Sequence, residues 1–392
     1  MTPPLATIVM PARNAATTIA RATRSAAAQN VSVVLVDDAS DDDTVARARA
    51  VLPSIAIVRP ERRHTRGLVR QAGIQAVTTP YTVWLDADAE LLPGRVTRLL
   101  DVLQREERTD IVIDGVEVVD TAGGETQHLA GAPPFVRRAP VRLFERMYLP
   151  EPGAMAVRTA LARRLGYDVE LHGAEQADFL LRALAAHARV AVLDDPGYRV
   201  HRSAADTSSR SAAQRQMYRR LLRKHRYTNV QCLYDTAGLS ETVVCWGLVS
   251  FALFREEYET ALDYIARAEH SYPDQDAVLE PDGPCQVSER WRVAFHRGTT
   301  WLLLGEWLEA RMWLERADLL QRTAETLNNL GVALARTGEL ARARRCFTRA
   351  LERFPDYVDA RANAGATEPS HITSHLLRTR APRQAYAPAG AR

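Results

Sequence analysis

Lysine is almost missing from this chain: Lys224 is the only one, and every other member of its 51 basic residues is arginine. Bidentate phosphate binding throughout would use such a bias, but the alanine-rich background points instead to an arginine-favouring genome. Net charge is equally spare, +3 over 392 residues, which provides no basic field for wrapping nucleic acid. Cys232, Cys245, Cys285 and Cys346 lie far apart without a CxxC pair, so neither a zinc site nor a disulfide framework is expected, only free thiols. No uninterrupted apolar run of about 18 residues occurs, and none is expected to span a membrane. The opening MTPPLATIVMPARN shows no basic region followed by a long apolar run, so no signal peptide is expected. Glycine-rich phosphate loops are missing too. Neither GxGxxG nor GxxxxGK[ST] follows a strand, which argues against a nicotinamide cofactor and a P-loop NTPase. A cytoplasmic chain is expected, globular at 46% hydrophobic and 25% charged residues, and too long for one core.

What is present begins with alternation. Leu5–Met10, Val31–Val36, Ile55–Val58 and Tyr81–Leu85 read as short buried strands, separated by helical stretches at Ala15–Ala28, Asp42–Leu52 and Arg66–Val77. Strands and helices in this order predict right-handed βαβ units, hence a Rossmann-like, mainly parallel sheet with helices on both faces. Beyond about residue 205 the pattern becomes helical. Gly298 and Gly305 are followed by Ala310 and Ala317, and Gly331 and Gly338 by Ala343 and Ala350, a repeat of 33 residues. A more degenerate copy carries Ala261, Ala268 and Pro273. Small residues at these places let two antiparallel helices pack closely, and proline ends the second. The unit resembles the tetratricopeptide repeat, most clearly over Leu327–Pro355. Trp301, Trp307 and Trp313 recur every six residues, which is no helix-face period, so core packing is expected of them. The expected division is an α/β domain at 1–205, a helical linker at 206–240, helical repeats at 241–366 and a disordered tail at 367–392.

In an open parallel sheet the ligand lies beyond the carboxyl ends of the strands. Those ends read Pro11-Ala-Arg-Asn14, Asp37-Asp38-Ala-Ser40 and Asp86-Ala-Asp88. Carboxylates repel a diphosphate unless a hard divalent cation bridges them, taking oxygens from protein and phosphate together. An isolated DxD is usually a solvated turn, but one that follows a buried strand as the third polar strand end points to function.

Six motifs in order over about 180 residues resemble glycosyltransferase family 2 and its GT-A fold: Ile8–Asn14, Val36–Thr44, Gly67–Gly73, Trp84–Asp88, Pro152–Arg158 and Gly173–Asp178. The resemblance implies inverting transfer from a nucleotide-sugar donor, UDP-linked, with Mn2+ or Mg2+ at the diphosphate. It implies that Pro11, Arg13 and Asn14 line the base pocket, that Asp37 or Asp38 binds the base, and that Arg70 braces the donor. Asp86 approaches ribose or metal, Asp88 ligates the metal, and His201 completes the metal shell or meets the diphosphate.

The family draws its catalytic base from a Glu-Asp pair, and here the chain reads Glu175-Gln176. An amide cannot accept the acceptor's proton. Glu175 is therefore the expected base, with Asp178 as the other carboxylate in reach or a brace for the helix 174–186; a thiol-like acceptor needing little base is a further option. The alternative reading is a catalytically weakened nucleotide-sugar-binding scaffold acting through its repeats. Two smaller departures are Ala89 before Glu90, where a third acid is common, and Ala16 near a common glutamate. Bacterial relatives that glycosylate peptides join such a domain to helical repeats, so a peptide or protein acceptor is expected as one option, and homodimerisation through the repeats as another.

Overall fold

The computed structural model describes residues 4–60, 63–121, 126–129, 131–149, 151, 153–171, 173–202, 211–271 and 288–373. The chain divides into two compact units, Met1–Leu143 with Met147–Leu221, and Phe144–Arg146 with Leu222–Arg392.

The first unit is built on one nine-stranded sheet. Its strands are β1 (Ala6–Ala12), β2 (Ser32–Asp37), β3 (Ala56–Val58), β4 (Tyr81–Trp84), β5 (Glu90–Leu91), β6 (Ile111–Asp120), β7 (Thr126–Leu129), β8 (Met155–Arg158) and β9 (Val190–Arg202). They lie in the order β3-β2-β1-β4-β8-β6-β9-β5, with β7 paired to β6. The half that carries the donor motifs is parallel, with Ala12 beside Asp37 and Val9 beside Trp84, so the loops after β1, β2 and β4 open at one edge. This is the Rossmann-like arrangement that the alternation predicts. The distal half adds antiparallel pairs, β4 with β8 and β6 with β8.

Helices α1 (Ile19–Ala27), α2 (Thr44–Val51), α3 (Arg66–Ala76), α4 (Arg95–Arg105), α5 (Pro134–Arg138), α6 (Thr159–Leu165) and α7 (Glu175–Ala185) flank this sheet. A core running from Ile8 and Met10 through Leu35, Val83 and Leu99 to Tyr198 fills one side. Helix α3 is docked unusually close. A methyl group on Gly73 would lie 2.5 Å from Val9 Cγ1, and one on Gly67 would lie 2.1 Å from the Asp168 carbonyl oxygen. Both glycines of the Gly67–Gly73 motif therefore answer to packing, and they fix the height of Arg70 between them.

Tyr198–Arg202 belongs to β9, because register shifts around Gly115 let β6 and β9 stay paired past Pro196.

The second unit is all helical: α8 (Ser211–Leu222) leads from the first unit into it, followed by α9 (Tyr227–Thr236), α10 (Glu241–Arg255), α11 (Tyr258–Ser271), α12 (Glu289–Leu304), α13 (Trp307–Leu320), α14 (Ala324–Arg336), α15 (Leu340–Arg353) and α16 (Val358–Ala364). The 33-residue repeat corresponds to the pairs α12–α13 and α14–α15. Gly298 admits Leu314 and Gly331 admits Phe347, where an added methyl would lie 2.6 and 2.5 Å away. Gly305 and Gly338 end the first helix of each pair in the left-handed region, at φ 86° and 89°. Trp301, Trp307 and Trp313 pack against the core of these pairs, as their spacing suggests. No helix among the described residues is long and apolar enough to cross a membrane. Of the expected tail, residues 374–392 lie outside the described residues. Its first part does not run free: the amides of Asn329 and Asn363 hold the backbone of Ser370, His371 and Thr373.

Candidate active site

The loops after β1 and β2 lock onto each other. Asn14, at φ 46°, receives the backbone N–H of Asp41 on its side-chain oxygen at 2.9 Å, while its own N–H donates to Ser40 Oγ at 2.9 Å. The N–H groups of Ala15 and Ala16 go to Thr44 Oγ1 and Asp42 Oδ2. Hydrogen bonds from the Thr44 hydroxyl and nearby backbone N–H groups hold the Asp42 carboxyl below its ordinary range. Pro11 and Asn14 thus frame this loop, and the Arg13 side chain is exposed on it. Asp37, fully buried, accepts from Arg59 Nε at 2.7 Å, and Asp38 accepts from the His64 backbone N–H at 2.8 Å.

The centre of the site is Arg70. Its Nε donates to Glu175 Oε1 at 2.9 Å and its Nη2 to Asp86 Oδ1 at 2.7 Å, so one guanidinium joins the two halves that the motifs assign to donor and acceptor. Burial works against this charge, but the carboxylates of Asp86 and Glu175 outweigh it and raise the Arg70 pKa. Its guanidinium also lies over the Trp84 ring at 4.9 Å. Trp84 meets Tyr167 edge-on, and Tyr167 donates its hydroxyl to Gln176 Oε1 at 2.7 Å. Within this closed cluster, Arg70 Nη1, Glu175 Oε2 and Gln176 Nε2 are buried without a hydrogen-bond partner. Buried polar atoms left open in this way mark a place where a ligand or water is required.

Asp86 is held from behind. The Tyr198 hydroxyl accepts its backbone N–H at 2.9 Å, the Tyr198 ring lies 5.1 Å from the Arg95 guanidinium, and Arg95 is paired with Asp114 at 2.9 Å, both fully buried. Core charge therefore positions the strand end that carries the DxD. Partial desolvation and the Asp86 charge raise the Asp88 pKa, and the same two causes raise that of Glu151, which Arg202 partly offsets. Asp86 and Asp88 offer the carboxylate oxygens that a hard divalent cation takes.

His201, expected in the metal shell, has a carboxylate partner. His201 Nε2 lies 2.7 Å from Glu90 Oε1, and among the described residues no three His, Cys, Asp or Glu side chains form a metal-holding group. The reason is the continuation of β9, which pairs with β5 and sets His201 beside Glu90. Asp178 likewise pairs with Arg182 Nε at 2.7 Å, one turn along α7, and so braces that helix.

Sequence reasoning missed Glu151, Tyr167 and Tyr198. Glu151 stands just before the Pro152–Arg158 motif, whose Pro152 lies outside the described residues. A methyl on Gly153 would lie 3.4 Å from Asp86 Oδ2, 3.3 Å from Glu151 Oε1 and 3.9 Å from Gln176 Cγ, so this glycine keeps the meeting point of both halves open. Ala174, directly before Glu175, holds φ at 56°, a strained value for alanine of the kind that clusters at functional sites.

Residues 7–165 match the family model Glycosyl transferase family 2, and residues 324–357 match Tetratricopeptide repeat. Two curated proteins of Rhizobium meliloti (strain 1021) are similar. The succinoglycan biosynthesis protein ExoU is 32% identical over 49% of this chain and 60% of its own length. The succinoglycan biosynthesis protein ExoO is 30% identical over 50% of this chain and 61% of its own. The match thus spans about 60% of the length of these relatives. Among solved structures, S. aureus TarS 1-349 aligns at 15% identity and a TM-score of 0.47, covering 90% of this chain and 92% of that one. The chain carries a glycosyl transferase family 2 domain at residues 7–165 and a tetratricopeptide repeat at residues 324–357.

Proposed function

We propose that this chain is an inverting glycosyltransferase that moves a sugar from a UDP-linked donor to an acceptor hydroxyl. The observation that carries the reading is the Asp86–Arg70–Glu175 bridge, which joins the end of β4 and helix α3, both inside the family 2 match, to the start of α7 just beyond it. Pro11, Arg13 and Asn14 would border the nucleotide, Asp37 and Asp38 would meet the base or ribose, and Asp86 and Asp88 would hold the cation. Bound there, Mn2+ or Mg2+ would neutralise the departing diphosphate. Arg70 holds Glu175 by one oxygen and leaves Oε2 without a protein partner, and that oxygen takes the acceptor's proton. The acceptor oxygen bonds to the anomeric carbon as the bond to the diphosphate breaks on the opposite face.

Both relatives' names come from polysaccharide assembly, which favours a carbohydrate hydroxyl as acceptor. A polypeptide acceptor is the second reading, supported by the tetratricopeptide match at residues 324–357. The weakened-scaffold reading rests on Gln176. Titration calorimetry with UDP and Mn2+, run beside a donor-hydrolysis and transfer assay, tells the readings apart. The enzyme binds UDP and turns the donor over, Asp88→Ala cuts the Mn2+-dependent turnover at least a hundredfold, and unchanged turnover removes Asp88 from the site. Tight binding with neither hydrolysis nor transfer leaves the scaffold.

The same reading places the chain in the cytoplasm, with its nucleotide-sugar donor. Homodimerisation through the repeats is proposed on α13, where Leu308, Met312 and Leu319 lie exposed along one side of the helix. Light scattering of the full chain should give twice the monomer mass, and Leu308→Asp with Met312→Asp should return the monomer; a monomeric wild type rejects the proposal.

A further inference from the structure

The first turn of α7 carries two consecutive polar side chains, each pinned at one end and open at the other. Glu175 accepts from Arg70 Nε on Oε1 at 2.9 Å, and Gln176 accepts from the Tyr167 hydroxyl on Oε1 at 2.7 Å. What remains is Glu175 Oε2 and Gln176 Nε2, each buried and without a hydrogen-bond partner, on residues that are 3% and 6% exposed. The carboxylate oxygen can accept a hydrogen bond, and the amide nitrogen can only donate one. Two neighbouring side chains thus offer one acceptor and one donor.

Tyr167 decides which end of the Gln176 amide stays open. Its backbone N–H donates to Gln71 Oε1 at 3.0 Å, its ring stacks on Phe179 with centroids 5.0 Å apart, and it meets Trp84 edge-on at 5.5 Å. Burial pushes the Tyr167 pKa up, so the phenol keeps the proton that it donates. The amide oxygen is therefore engaged, and the NH2 is the end left over. A buried donor left open is destabilising, and leucine in its place would carry no such cost. An amide kept at that cost is accounted for when a ligand brings the missing oxygen. Its location suits a ligand as well. A methyl on Gly153 would lie 3.9 Å from Gln176 Cγ and 3.4 Å from Asp86 Oδ2, so Gln176 borders the same opening as the DxD.

We propose that Gln176 selects the sugar-accepting substrate, its Nε2 donating to an oxygen on the carbon next to the attacked hydroxyl while Glu175 Oε2 receives that hydroxyl, a role that rests on the transferase reading above. Together the two side chains read a vicinal diol, the group that a sugar ring carries along most of its edge. Gln176 moves no proton. It fixes which of several similar hydroxyls stands beside Glu175, and so sets the position of the new bond. An ionised acid at position 176 could not do this, because it has no hydrogen to donate. Where the resemblance leads one to expect the base, this chain has a specificity contact, and Tyr167 is the positioning residue behind it.

The probes are the p-nitrophenyl glycosides of glucose, galactose and mannose and their monodeoxy forms, given to the full chain with Mn2+ and UDP-glucose, UDP-galactose or UDP-N-acetylglucosamine. For the glycoside that is extended, deleting the hydroxyl next to the attacked one should lower kcat/KM about tenfold or more in wild type, through KM more than kcat. Gln176→Leu should lower kcat/KM for the parent glycoside by a similar factor, accept the deoxy form as well as the parent, and leave UDP affinity within about twofold. Tyr167→Phe keeps the stacking on Phe179 but frees the amide to turn, so it should also narrow the deoxy penalty. It is the second variant if Gln176→Leu does not give a native circular dichroism spectrum. A deoxy penalty that is the same in wild type and in the folded variants overturns the proposal. A wild type that hydrolyses a donor but extends none of the glycosides, or extends only a serine peptide, overturns the diol and leaves the transferase reading standing. A wild type that binds UDP yet neither hydrolyses nor transfers overturns both.

Discussion

Replacing Arg70 with alanine is expected to destabilise the first unit by about 3–5 kcal/mol and to abolish turnover together with it. The magnitude follows from what is left behind. Glu175 is 3% exposed, its Oε1 depends on Arg70 Nε, and its Oε2 already lacks a partner. Asp86 would lose its 2.7 Å contact to Arg70 and face Asp88 and Glu151, whose proton affinities its charge already raises. Removing the cation that Asp86 and Glu175 share leaves both carboxylates without their direct partner in a poorly solvated place. Arg70→Lys should sit between the two. It keeps the charge, but one ammonium cannot reproduce a planar fork that reaches Glu175 through Nε and Asp86 through Nη2 while lying over Trp84. Urea melts of the three proteins, with donor turnover measured on each, check this order. An Arg70→Ala chain that melts with the wild type would show that the bridge does not carry the stability assigned to it.

The donor half was legible in the sequence for a physical reason. Its residues sit at the ends of β1, β2 and β4, where a short apolar run stops and a polar one begins, and parallel pairing brings such ends to one edge whatever the rest of the chain does. Glycines at 67 and 73 carried a second legible signal, since both lie on the helix that presents Arg70, and close backbone approach is what each permits. Glu151 and Tyr198 were not legible. Each reaches Asp86 only through long-range pairing, of β8 with β4 and of β9 with β6, and neither stands in a pattern that spacing reveals. His201 finds its partner through the same long-range pairing. The shifts around Gly115 let β9 continue past Pro196 and deliver His201 to Glu90. Composition also misled at the C-terminal end, where a Pro- and Ala-rich stretch suggests a free tail from 367. Three asparagines, 35 residues apart at their extremes, hold the backbone of Ser370, His371 and Thr373.

The acceptor half turns on one substitution, Glu175→Gln, which should lower sugar transfer by about 10²–10⁴ while leaving UDP binding within twofold. The amide oxygen can still accept from Arg70 Nε, so the fold should lose no more than about 1–2 kcal/mol. What disappears is the oxygen able to take a proton, and the effect belongs in kcat for transfer and not in donor affinity. Gln176 supplies the counter-test. Tyr167 donates to Gln176 Oε1, and burial pushes the Tyr167 pKa well up, so the phenol stays a donor across the accessible range. Gln176→Asp keeps an acceptor near that phenol and restores a carboxylate beside the point where Gly153, Asp86 and Glu151 meet. In the Glu175→Gln background it should recover part of the lost transfer if the site retains the geometry in which position 176 carries the base. Full transfer by Glu175→Gln alone would remove Glu175 from proton transfer and leave an acceptor acidic enough to react without a protein base.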